Sequence, residues 1–208
     1  MSWVALVLMV SLGAPRAVHQ KAWSYIREER YAEASRLCQQ ALPAFETVFG
    51  RSTLEVALVL GDLAEIYRGE GYLAKAEQAA QQSLAILETN LGPDDASVAL
   101  ALDKLGEIYF DSHRYTEAGR LLRRALEIWE NRQGPDDLQM AMILNDLAAV
   151  YHLDGRYAEA GRLYRRALAI RERTLGPDHP YVMVIRRNLA ELDRARGRKR
   201  VDVLALAR

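Results

Sequence analysis

The sequence predicts an all-α protein, a solenoid of antiparallel helix hairpins, and three observations carry the prediction. The chain repeats itself every 42 residues, as when Gly92-Pro93-Asp94-Asp95 returns as Gly134-Pro135-Asp136-Asp137. Within each period the apolar residues fall at helical spacing in two separate stretches. Short polar breaks divide the stretches and Gly-Pro phrases divide the periods, and both kinds of punctuation stop helices. Self-similarity at a fixed period of roughly 20 to 50 residues marks an architecture in which each unit buries its apolar face against the next.

The 42-residue step holds in several columns at once. Gly50, Gly92, Gly134 and Gly176 form one, and Tyr25, Tyr67, Tyr109 and Tyr151 a second. Leu63, Leu105, Leu147 and Leu189 form a third, each followed by a small residue (Ala64, Gly106, Ala148, Ala190). Ala34, Ala76, Ala118 and Ala160 make a fourth, and Leu42, Leu84, Leu126 and Leu168 a fifth. Small residues on facing helices allow close approach, and the Leu and Tyr columns fill the space between neighbouring hairpins. The Tyr column reads as core, with its hydroxyls at the edge.

The elements follow in order. Residues 1–16 form an N-terminal apolar segment, and 17–49 a degenerate first repeat in which Lys21 stands in the Leu column. Full repeats span 50–91, 92–133 and 134–175. A half-repeat covers 176–196, and 197–208 is a basic tail or degenerate cap. In the second full repeat, Val98, Leu102, Leu105 and Tyr109 mark the first helix, and Ala118, Leu122, Ala125 and Trp129 the second. The break between them contains His113, where Gly71 and Gly155 occupy the matching positions as left-handed helix stops. Ser52, Asp94, Asp136 and Asp178 are the expected N-caps, with Glu55 and Gln139 three residues on as in a capping box. Arg196-Gly197-Arg198 echoes the Asp154-Gly155-Arg156 turn, and the short, weak helix after it, Val201 to Arg208, reads as a degenerate cap or fraying end.

The pattern Leu102-x2-Leu105-Gly106-x2-Tyr109, followed by Ala118-x3-Leu122, resembles the tetratricopeptide repeat. Leu60, Leu102 and Leu144 replace its usual tryptophan. The 42-residue period and phrases such as Leu144-Asn-Asp-Leu-Ala-Ala-Val-Tyr151 resemble the kinesin-light-chain type of that repeat. The resemblance covers about Ala17 to Arg198. It implies a right-handed solenoid whose concave groove binds a peptide or protein segment, and no more specific function.

In that family the first helix of each hairpin lines the groove. The resemblance therefore implies a peptide-binding set of Leu58, Glu65, Arg68, Leu100, Asp103, Glu107, Phe110, Met142, Asn145, His152, Arg187 and Glu191. Glu65, Glu107 and Glu191 stand where carboxylate-clamping relatives carry Asn, which disfavours that mode. Only Asn145 and Asn188 partly preserve the paired asparagines of the kinesin-light-chain type. The mixture of acids with apolar residues suits an extended or helical segment that is apolar with some basic residues.

Composition narrows the classes. Lys+Arg and Asp+Glu are both 28, so no net field recruits nucleic acid. The arginines Arg120, Arg123, Arg124, Arg162, Arg165 and Arg166 read as a solvated stripe paired with nearby acids. Nucleic-acid partners are not expected, and neither is a membrane span, because the apolar run is too short. The single cysteine, Cys38, reads as a buried structural thiol. The sequence contains no phosphate loop, paired-cysteine metal site or His-Glu-x-x-His, so no catalytic residue, cofactor or metal is expected.

The N-terminal Met1-Ser-Trp-Val-Ala-Leu-Val-Leu-Met-Val10 resembles the apolar core of a secretory signal, ending near Gly13 or Ala14. That reading favours export over a cytoplasmic location. An apolar capping helix and a misassigned start are the alternatives. The expected function is a non-catalytic protein-interaction scaffold; the alternative is a regulatory or sensor array acting with a separate effector. Self-association through the solenoid ends is a further expectation.

Overall fold

The computed structural model describes residues 14–132 and 138–206. The signal-like segment lies outside the described residues up to position 13, and Ala14 opens the first helix. Two compact units divide the chain. The first, ending at Ser112, contains α1 (Ala14–Arg27), α2 (Tyr31–Phe49), α3 (Leu54–Gly69), α4 (Leu73–Leu91) and α5 (Ala96–Asp111). The second, from His113, contains α6 (Tyr115–Arg132), α7 (Leu138–Leu153), α8 (Tyr157–Leu175) and α9 (Pro180–Leu206). Each helix packs on its neighbours in sequence within its unit, and α1 also reaches α3. Among the described residues every regular element is a helix, as the periodicity predicts.

The Leu63 and Ala34 columns supply much of the core. Leu102 is fully buried, and Leu63, Leu105 and Leu147 are nearly so. Each such side chain contributes roughly 1.5 to 3 kcal/mol relative to exposure. Ala34, Ala76, Ala118 and Ala160 are all fully buried, where a larger side chain would push helices apart. Close packing is strictest at Gly69: a Cβ there would lie 2.3 Å from Cε1 of Tyr31. Cys38 is fully buried, and burial pushes its thiol up to about 12.

The Tyr column sits at the core edge as expected, and the hydroxyls of Tyr67, Tyr109 and Tyr151 each accept a bond from the residue 28 positions earlier. Gln39 Nε2 donates to Tyr67 at 3.0 Å, and Gln81 Nε2 to Tyr109 at 3.0 Å. In the second unit Arg123 Nη1 approaches Tyr151 at 3.4 Å. Arg166 pairs with Glu130, so that member of the arginine stripe has its acidic partner.

The punctuation differs in detail from the sequence reading. The linker glycines Gly50, Gly92 and Gly176 adopt φ of 93°, 86° and 87° with ψ of 159°, 161° and 158°, a region essentially restricted to glycine. N-caps fall one residue later than expected, at Thr53 and Asp95 in place of Ser52 and Asp94. The Asp95 carboxylate accepts from the backbone N–H of Ser97 at 2.8 Å, which fixes the helix start. His179 follows the same shift, its Nδ1 accepting from Tyr181 N at 3.3 Å. Glu55 therefore lies too close to its cap to complete a capping box.

The turn that Arg196-Gly197-Arg198 echoes does not form, because α9 runs as one 27-residue helix to Leu206. In the earlier turns an aromatic or Leu and then an Ala follow to bury the next helix. Here Lys199 takes the column of Tyr31, Tyr115 and Tyr157, and Asp202 takes the column of Ala160. A second helix would have nothing to pack, so helix continuation wins. Among the described residues no helix is long and apolar enough to cross a membrane.

Candidate protein-binding face

The first helix of each hairpin presents a recurring face, and within each unit its side chains meet at a separation of 43 residues, one repeat plus one. In the first unit this step joins His19 to Asp62 and Arg68 to Asp111. In the second it joins Asn188 Nδ2 to Asn145 Oδ1 at 3.2 Å.

In the first unit α3 and α5 bring Glu65, Arg68 and Glu107 together. The Arg68 guanidinium lies 2.8 Å from Glu65, 3.1 Å from Glu107 and 3.1 Å from Asp111. Burial works against its charge, but Glu107 and Glu65 outweigh that penalty and hold its pKa above the ordinary arginine value. Arg68 is therefore a fixed hub among acids. Leu58 on α3 and Leu100 and Phe110 on α5 are half-buried. Asp103 differs from the other expected residues: at 1% exposure it lies beneath the face rather than on it.

In the second unit Met142 and Asn145 are half-buried on α7, and Asn145 Nδ2 also donates to Asp146 at 3.1 Å. His152 packs edge-on against Tyr157, with ring centroids 5.8 Å apart, so the turn of its own hairpin holds it. Arg187 and Glu191 of α9 are exposed. Deeper in this unit, burial raises the Tyr164 hydroxyl above its usual range, with Asp146 and Glu191 adding to the effect.

Sequence reasoning missed a cluster on α1. The Asp62 carboxylate, 1% exposed, accepts from His19 Nδ1 at 2.9 Å and from Trp23 Nε1 at 3.0 Å. The Lys104 ammonium lies 5.2 Å from the Trp23 ring centroid, and His19 meets that indole edge-on at 6.2 Å. The signal was present in the repeat itself. Stepping back 42 residues from Glu65 reaches Trp23, and from Gly61 reaches His19.

Antiparallel helix hairpins with a recurring first-helix face define a helical repeat protein of the kind that typically carries no catalysis. The chain belongs to the tetratricopeptide repeat family, whose sequence profile matches residues 16–89, 97–160 and 139–201. Among solved structures it is similar to a Podosopora anserina protein of kinesin-light-chain type with nearly identical TPR-like repeats. That likeness has a TM-score of 0.75 and 22% identity, covering 92% of this chain and 91% of that chain. BtubC (BKLC) from P. vanneervenii is similar with a TM-score of 0.73 and 19% identity, over 95% of this chain and 85% of that one. The apo form of RapI follows at 0.66 and 18%, over 77% and 56%. The first two likenesses support the kinesin-light-chain-like form of the repeat. No curated protein sequence matches the chain significantly.

Proposed function

We propose that the chain is a non-catalytic interaction scaffold whose first-helix faces each hold a peptide or helical segment of a protein partner. The observation that carries this reading is the coexistence, in each unit, of half-buried apolar side chains and fixed polar ones on the first-helix faces. In the first unit the same helices carry half-buried Leu58, Leu100 and Phe110 and the Arg68 hub, and in the second α7 carries half-buried Met142 and the Asn145 that bonds Asn188. Apolar patches framed by fixed hydrogen-bonding groups suit binding that combines anchoring with register. The expected residues Leu58, Glu65, Arg68, Leu100, Glu107, Phe110, Met142, Asn145, His152, Arg187 and Glu191 belong to this proposal. Asp103 would act only by holding its neighbours.

The test is capture of partners from the native host on the full chain, beside Glu107→Lys/Phe110→Ala and Asn145→Ala variants that retain their helical circular dichroism. A partner lost with either variant supports binding on that unit's face. Partners retained equally by both variants would refute it. Binding seen only when a second protein accompanies the chain would favour the regulatory alternative.

A further inference from the structure

We propose that Trp23 is the anchor of the first unit's face, and that it takes a cationic side chain from a partner segment in place of the protein's own Lys104. This rests on the scaffold reading and names the chemistry of the segment that the first unit selects.

Three features point to it. Trp23 stands in the repeat column of Glu65 and Glu107, on the face already described, and its indole is half-buried. Its N–H is occupied by the buried Asp62 carboxylate, with His19 on the same carboxylate. The ring is thereby fixed by a charge-assisted bond inside the unit, leaving its π surface as the part that meets a ligand. That surface already draws a cation, since Lys104 Nζ lies 5.2 Å from the centroid, within the range at which an ammonium is attracted to an indole face.

The charges around it set the sign of the partner. α3 and α5 present Glu65, Glu107 and Asp111 on that face and carry Asp62 and Asp103 buried beneath it, against Arg68 and Lys104. The chain as a whole is neutral, so this is a local concentration of negative charge rather than a property of the protein. A partner lysine or arginine that displaces Lys104 from Trp23 brings a second positive charge to an acidic face. Its apolar neighbours would meet Leu58, Leu100 and Phe110. The occupant is thus an amphipathic protein segment bearing Lys or Arg beside apolar residues.

The probes are three labelled 14-residue amphipathic peptides of identical leucine pattern, with Lys, Glu or Gln at every polar position. Binding to the full chain is read by fluorescence anisotropy. The Lys peptide is expected to bind, and the Glu peptide to fail. Trp23→Ala should weaken the Lys peptide by roughly three- to thirtyfold, the range of a cation–π contact, and Trp23→Phe by less. Lys104→Ala should tighten it, because the internal competitor is gone; a merely structural role for Lys104 would not do this. If Trp23→Ala loses its helical signal, Trp23→Phe and Lys104→Ala carry the test. Equal binding of the Glu and Lys peptides would overturn the proposal, as would a Lys104→Ala variant that binds no more tightly. If the Lys peptide fails while a captured host partner is still lost with Asn145→Ala, the cation preference falls and the scaffold reading stands.

Discussion

Glu29 holds a left-handed backbone, φ 57°, at the turn position where Gly71 has 79° and Gly155 has 74°. The three turns share one hydrogen-bond pattern. The N–H of Glu29 donates to Ile26, that of Gly71 to Arg68 and that of Gly155 to His152, at 3.0, 3.0 and 3.1 Å. The following N–H reaches back five residues each time: Arg30 to Tyr25, Tyr72 to Tyr67 and Arg156 to Tyr151, at 2.9, 2.8 and 2.8 Å. This is the Schellman helix ending, which suits glycine at the left-handed position. A side chain there costs roughly 1 to 2 kcal/mol, while glycine's extra freedom in the unfolded chain returns about 0.4 to 1 kcal/mol. Glu29→Gly should therefore stabilise by about 0.5 to 1 kcal/mol, and Gly71→Glu should destabilise by a similar amount. For a chain of this length that is a shift of about 1 to 4 °C in the thermal midpoint. Circular dichroism at the helical minimum measures both variants beside the parent. A Glu29→Gly midpoint at or below the parent's, or a Gly71→Glu variant that melts with the parent, would refute the reasoning.

Further outcomes follow from other features. Gly69→Ala would place its Cβ within 2.3 Å of the Tyr31 ring; overpacking of that kind should cost about 1 to 3 kcal/mol in denaturant unfolding, despite alanine's better helix propensity. Cys38, fully buried with its thiol raised to about 12, should resist a thiol reagent at pH 8 and react once the chain is unfolded in urea. Glu33, Glu117 and Glu159 are each held below the usual carboxylate range by a side-chain bond from Arg30, Arg114 or Arg156. Because their folded pKa values are lowered, the stability they contribute is present above the unfolded Glu value of about 4.3 and is lost as pH falls through the folded ones. The triple Glu→Gln variant should lose stability less steeply than the parent between about pH 5 and 3, measured by chemical denaturation.

The fold was legible because the repeat columns encode it several times over. A Leu, Tyr or Ala misread in one repeat is corrected by its neighbours, and the helices appear where the columns place them. The N-caps were misplaced by one residue because Asp94 and Asp95 can both cap, and only backbone direction after the linker decides for Asp95. Gly197 looked like Gly155, yet turning there would require a helix with an apolar face, and Lys199 and Asp202 supply none.

The candidate face was legible as positions but not as contacts. The columns identify Glu65, Arg68 and Glu107, whereas their closure into one hub with Asp111 depends on the 43-residue contact step. Asp103 shares a column with Asn145, yet its burial depends on how its neighbours pack, which a column does not record. The α1 cluster escaped because Lys21 breaks the leucine column of the first repeat, which hides the face positions of that degenerate segment.

The bonds from Gln39 to Tyr67, Gln81 to Tyr109 and Arg123 to Tyr151 each span 28 residues and tie the second helix of one hairpin to the first helix of the next. A bond of fixed sequence step in a chain of fixed period survives editing by whole periods. Excising residues 50–91 would bring Gln39 to 28 positions before Tyr109, the same pairing with a new partner. Duplicating any 42-residue stretch would likewise copy a donor already in step with its acceptor. Such a chain can be lengthened or shortened without redesigning its joints. Its genetic history is then free to vary the number of repeat faces while selection acts on each face separately.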